Sequence, residues 1–302
     1  MKKANIAASI RQRLLNFSKE CNEEFSYVLM QYAMQRLLYR LSISEFKNRF
    51  LLKGALLFSI WDNDLHRPTR DADFLSFGEN DVDTLVSTFK QICALTSDVD
   101  DGLIFDIDSI QGLAIKEDAM YPGVRVTGKA ELAKAKIPFQ MDIGFGDVIT
   151  PDPEEAALPS YLDLPPPKLK VYPIYTVVAE KFQAMIALGM ANSRMKDFYD
   201  IWLLSRQFNF EGEILATAIR KTFENRGTEI PEKPLAFTGK FTKNTQKETQ
   251  WNAFVRKSKL ENVPEDLPEI TGQIQVFLQP VIAALLQDKS LKKQWQAGGE
   301  WE

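Results

Sequence analysis

The chain has 302 residues, room for two domains of ordinary size, with 37 Lys and Arg against 41 Asp and Glu and a formal net charge of −4. That balance supplies no global attraction for nucleic acid, so a nucleic-acid partner has to be met by a local patch. A single histidine, His66, and two cysteines, Cys21 and Cys93, exclude a His-rich zinc centre and a disulfide framework.

No nucleophile-elbow pattern is present for a Ser-His-Asp triad to use, and His66, in the loop "NDLHRPTR", reads as a surface residue. Acid–base or metal chemistry therefore rests on carboxylates and lysines. No run of about 18 apolar residues offers a membrane span. The apolar stretch after Lys2 and Lys3 is cut by Arg11 and Arg13 too early for a secretory signal. Cytoplasm is the expected compartment.

In chain order, "IRQRLLNFSKECNEEFSYVLMQYAMQRLLYRL" spaces apolar residues by three and four and predicts helix. Ser42 or Ser44 then offers an N-cap for "SISEFKNRF". "FLLKGALLFSIW" predicts a short buried strand ending at Gly54 and a helical turn or two beyond it. "DADFLSF" predicts a strand and "VDTLVSTFKQICALTS" a helix. "GLIFDIDSI", "GVRVTGKAEL" and "IPFQMDIGF" alternate as strands bounded by Gly or Pro. The proline-rich stretch "DPEEAALPSYLDLPPPKLKVYP" reads as an exposed connection. Four helical patterns follow it, the first with Gly189 as its C-cap. The fold expected is α+β: a mixed sheet with flanking helices over residues 1–165, then a mainly helical domain over 166–302.

The stretch "RPTRDADF" carries the chemistry. Residues i and i+2 of a strand share a face, so Asp71 and Asp73 project together, and two like charges held close call for a cation or protons. Hard divalent cations such as Mg²⁺ or Mn²⁺ take oxygen ligands of this kind. On its own the pair fits a strand edge with two solvated carboxylates better. Two further features favour metal. Asp142, between Met141 and Ile143, faces away from its apolar neighbours and makes a third strand-borne carboxylate, the set that holds metals in phosphoryl transfer. The glycine break in "LLKGA" lets backbone come close to a bound phosphate. A rival pair, Asp106 and Asp108, lacks such a turn and shares its face with Ile104, so it reads as a solvated edge strand.

"LLKGALLFSIWDNDLHRPTRDADF" followed by "FQMDIGFGD" resembles the nucleotidyltransferase signature of the AbiEii/AbiGii toxin family: a K-G-G turn, then R-x-T-x-D-x-D-F, then a lone D on a later strand. "YTVVAEKFQAMI" and "SRMKDFYDIWLL" are similar to its A-E-K and R-x-K-D-x-x-D motifs, and the resemblance spans roughly residues 50–205. At the second glycine of the turn the chain has Ala55, small enough for backbone approach but poorly suited to positive φ.

The resemblance implies metal ligation by Asp71, Asp73 and Asp142, with Asp142 activating an acceptor hydroxyl. It implies catalytic roles for Lys181 and Asp197, and nucleotide contacts from Lys53, Gly54, Ala55, Thr69, Arg70, Arg194, Lys196 and Asp200. Without it, Glu180 and Lys181 read as a solvated salt-bridge face. It further implies a nucleoside triphosphate substrate, a tRNA 3′ end as acceptor and a cognate antitoxin; the lack of a long apolar run leads to the expectation of no membrane partner. The chain would then be the toxin of a bacterial toxin–antitoxin or abortive-infection system. A metal-dependent ribonuclease, a small-molecule nucleotidyltransferase and an inactive interaction protein on the same fold remain open.

Independently, residues 233–259 interleave basic residues with aromatics. Lys240, Lys243, Lys247, Trp251, Arg256 and Lys257 are candidate RNA contacts, since bases stack on aromatics while cations meet phosphates. A solvated loop whose aromatics anchor it to the helices fits the same pattern.

Overall fold

The computed structural model describes residues 3–61, 69–117, 121–260 and 263–302. His66 and Arg67 lie outside these. The chain forms two compact units, Met1–Gly146 with Glu154–Val171, and Asp147–Pro153 with Tyr172–Glu302.

In the first unit, helices α1 (Lys3–Glu20) and α2 (Phe25–Ile43) precede β1 (Phe50–Lys53). Ser44 closes α2, its hydroxyl donating to the carbonyl of Leu41, so it ends one helix where a helix start was expected. After Gly54 come a 3-10 turn, Ala55–Leu57, and α3 (Phe58–Trp61). The remaining elements are β2 (Ala72–Ser76), α4 (Val82–Ala94), β3 (Leu103–Glu117), β4 (Tyr121–Leu132), β5 (Ala135–Phe145), β6 (Glu154–Ala157) and β7 (Lys168–Val171).

The strands make one seven-stranded mixed sheet in the order β3-β4-β5-β2-β1-β7-β6. β2 runs parallel to β5 and antiparallel to β1. The alternation along β5 explains its orientation: Ile137, Phe139, Met141 and Ile143 are buried on one face, leaving Gln140 and Asp142 for the other. β6 and β7 form an antiparallel pair inside the stretch expected to be a plain connection. β3 is an edge strand with a register shift between Asp106 and Gln111; Asp106 and Asp108 are exposed there, with Ile104 beside them.

α2 is buried almost all round, and its two arginines are neutralised inside the unit. Asp101 accepts from Arg36 Nε at 3.3 Å and from Arg40 Nη1 at 2.7 Å. Buried charges persist only when paired in this way.

The second unit is helical: α5 (Ile174–Leu188), α6 (Met195–Gln207), α7 (Gly212–Asn225), α8 (Gly239–Thr242), α9 (Thr245–Ser258) and α10 (Leu267–Leu286). Gly189 caps α5 as expected, with φ 48°. Two segments, Ile174–Ala191 and Leu267–Leu286, are long and apolar enough to cross a membrane by length and composition, contrary to expectation. Each buries a face in the unit's core: Val178 and Phe182 of α5, Ile274 and Phe277 of α10.

Candidate active site

Asp73 lies on β2 with Lys53 as its partner on β1 and Asp142 as its partner on β5. Asp142 in turn faces Arg125 on β4. Residues opposite one another in a sheet present side chains to the same face, so Lys53, Asp73, Asp142 and Arg125 form one row across four strands. The row reads cation, anion, anion, cation.

Asp71, just before β2, joins it. One carboxylate oxygen from each of Asp71, Asp73 and Asp142 lies within 4.8 Å of the others, so the structure brings the sequence-derived acidic set together. Asp71 is held by Thr69, whose hydroxyl donates to its Oδ1 at 2.5 Å; Gln31 of α2 donates to the Thr69 carbonyl at 2.5 Å. Arg70 is exposed and Lys53 is buried. Gly54 adopts φ +78°, and a Cβ there would overlap the Asp73 carboxylate. Ala55 lies in the following 3-10 turn and is not among the residues with positive φ, so the turn accommodates alanine at this position.

Arg125 escaped the sequence reading. Its Nε and Nη2 donate to Oδ1 and Oδ2 of Asp142 at 2.8 and 2.7 Å, and this carboxylate holds the guanidinium above its usual pKa despite partial desolvation. "GVRVTGKAEL" alternates correctly for a strand, but only the β4–β5 register reveals which carboxylate Arg125 meets.

The donor set fits a hard divalent ion: three carboxylates supply oxygen only. The guanidinium already seated on Asp142 shows the cluster accepting a cation.

The other charged motifs cluster within the second unit. Lys181 of α5 donates to Asp197 Oδ1 at 3.0 Å and meets Asp200 Oδ2 at 2.8 Å. Arg194 Nε lies 2.6 Å from Asp197 Oδ2. A solvated face does not describe Lys181, whose partners Asp197 and Asp200 are almost wholly buried. Burial alone raises the Asp197 carboxyl, but Lys181, Arg194 and Lys196 outweigh it and lower the group to about 2. Asp197 has no exposed surface of its own. Lys196 is exposed.

The basic aromatic stretch is helical, and α9 turns its aromatic face inward. Trp251 and Phe241 are buried, Phe241 stacking on Phe198. Lys247 is buried too: its Nζ donates to the Asn192 carbonyl at 2.6 Å and sits over the Phe241 ring. Lys247 and Trp251 are therefore part of a core and present nothing to RNA. Lys240, Lys243, Arg256 and Lys257 are exposed.

The family model described as nucleotidyl transferase AbiEii toxin, type IV toxin–antitoxin system, matches residues 36–272. The chain belongs to this family. The AbiEii match extends well beyond the motifs of residues 50–205 and includes both charged clusters. Among solved structures, the chain is similar to JHP933 from Helicobacter pylori, with 14% identity, a TM-score of 0.47, and coverage of 87% of this chain and 94% of that one. It is likewise similar to an H. pylori protein described as a candidate nucleotidyltransferase, with 15% identity, a TM-score of 0.48, and coverage of 87% and 97%. No curated protein matches the chain.

Proposed function

We propose that this AbiEii-family chain transfers a nucleoside monophosphate from a nucleoside triphosphate to an RNA hydroxyl, with the tRNA 3′ end as acceptor, using Mg²⁺ or Mn²⁺. The observation that carries this reading is the approach of the Asp71, Asp73 and Asp142 carboxylates to within 4.8 Å. Asp71 and Asp73 would hold the ion and Asp142 would complete the site; when bound, the ion would supply charge neutralisation for the triphosphate.

The chain's own residues do the rest. Gly54 leaves room for backbone beside Asp73, and Thr69 orients Asp71. Asp142 takes the proton of the acceptor hydroxyl as its oxygen bonds to the α-phosphorus; the bond from that phosphorus to the bridging oxygen breaks and pyrophosphate departs. Toxicity follows from blocking the acceptor, a cognate antitoxin opposes it, and nucleotide and tRNA place the action in the cytoplasm.

The test incubates wild type and Asp71→Ala with each labelled nucleoside triphosphate, Mg²⁺ and total RNA. Label entering tRNA with wild type alone is expected; equal labelling by both proteins removes Asp71 from the chemistry. A small-molecule acceptor is the second reading, favoured by the burial of Trp251 and Phe241, which removes two base-stacking surfaces. Label confined to low-molecular-weight product would select it.

A further inference from the structure

Arg125 brings a fixed positive charge to the carboxylates that would hold a metal. Its fork meets both oxygens of Asp142, at 2.8 and 2.7 Å, and the charges of Asp71 and Asp73 also reach it. Gln140, with its amide oriented to suit, accepts from Nη2 and Nε at 3.3 and 3.2 Å. A bidentate pair of this kind engages both carboxylate oxygens at once, so a second cation approaching Asp142 must contend with the first. The two side chains differ in freedom: Arg125 is 39% exposed and Asp142 only 13%. The guanidinium has solvent to withdraw into, and the carboxylate stays where β5 puts it.

We infer that Arg125 is a built-in competitor for the divalent ion, neutralising the carboxylate cluster when no metal is bound and giving way when one arrives. This rests on the reading of Asp71, Asp73 and Asp142 as metal ligands. The role is that of a positioning residue, since it acts through Asp142. Its consequence is a low affinity for bare metal.

The sign of one measurement separates this role from ordinary support. A partner that merely orients a ligand strengthens metal binding, and its loss weakens affinity by roughly 10–100-fold. A competitor does the reverse, because its removal frees the oxygens of Asp142 and lifts a repulsion between two cations.

Free Mn²⁺ is titrated by electron paramagnetic resonance, without nucleotide, against wild type, Arg125→Gln, Arg125→Lys and Asp71→Asn. Arg125→Gln is expected to bind Mn²⁺ about tenfold tighter, the factor one charge-assisted hydrogen bond is worth. Arg125→Lys, which keeps the charge and loses the fork, should fall between; it decides the matter if Arg125→Gln does not fold. In EDTA, Arg125→Gln should melt below wild type, and Mn²⁺ should restore it. Unchanged or weaker binding in the folded Arg125 variants overturns the inference. Mn²⁺ affinity undiminished in Asp71→Asn would sink the metal reading itself, whereas loss there with no gain at Arg125 removes only the competitor.

Discussion

Gly54 and Asp73 approach so closely that only glycine fits: a Cβ on Gly54 would lie 1.9 Å from Asp73 Oδ2 and 2.7 Å from its Cγ. The same residue has φ +78° and ψ −157°, a region open essentially to glycine and costing other residues about 1–3 kcal/mol. Gly54→Ala is therefore expected to lower stability by at least that amount and to push the Asp73 carboxylate out of place. A displacement of about 1 Å at a reacting group costs on the order of a hundredfold in rate. Urea melts and transfer kinetics on the same preparation check both parts; near-normal turnover in Gly54→Ala would mean that this approach does not set the position of Asp73.

Asp71 accepts a hydrogen bond from the neutral hydroxyl of Thr69. Asp71→Asn removes one of three crowded negative charges while keeping the shape, so its stability should stay within about 1 kcal/mol of wild type. Its chemistry should be lost. Wild type is expected to gain melting temperature on adding Mn²⁺, since a ligand of the folded state stabilises by mass action, and Asp71→Asn should gain little. Equal thermal shifts in the two proteins would detach Asp71 from metal binding.

The acidic set was legible because period-two alternation is a local signal. Asp71 and Asp73 needed only their spacing, and Asp142 only its apolar neighbours Met141 and Ile143. Arg125 was not legible, because its meaning depends on which strand lies beside β4, a long-range pairing that no local pattern encodes. Arg36, Arg40 and Asp101 were missed for the same reason: charges on a helix and in a loop read as solvated until their partner is known. At α9 the interleaved aromatics and cations fitted either a base-stacking surface or a solvated loop anchored by its aromatics. The stretch is instead a helix, with Trp251 and Lys247 buried. The prolines around β6 and β7 obscured a strand pair too short to show alternation.

Asp197 ties acid stability to the second unit. Its carboxyl is lowered from 3.8 to about 2, below the unfolded value. Its contribution, about 2 kcal/mol by linkage, is thus complete above the unfolded value, declines as pH falls below 3.8, and is gone beneath about 2. Asp197→Asn removes the carboxylate that Arg194 and Lys181 share. At neutral pH the variant should lose about 3 kcal/mol, the lower end for breaking a buried pair. Urea midpoints at pH 7 and pH 3 should show the gap between wild type and variant narrowing in acid. A constant gap would place the depressed carboxyl elsewhere.

The exposed cations of the α8–α9 region make the last distinction, between an RNA and a small-molecule acceptor. Lys240, Lys243, Arg256 and Lys257 are exposed, whereas Lys247 donates inward to Asn192. Replacing the four exposed residues by Glu removes cations that could neutralise phosphates, without disturbing the core. RNA binding should weaken, and the slope of log affinity against log salt should fall by about 0.7–0.9 for each phosphate no longer neutralised. Stability should change little. Lys247→Met, by contrast, breaks a buried hydrogen bond, leaving the Asn192 carbonyl without it at a cost of about 1–3 kcal/mol, and should leave the salt slope alone. An unchanged slope in the four-site variant, with transfer to RNA intact, would move the RNA surface off this region. Unchanged total turnover, with label only in small molecules, would instead assign the acceptor to the second reading.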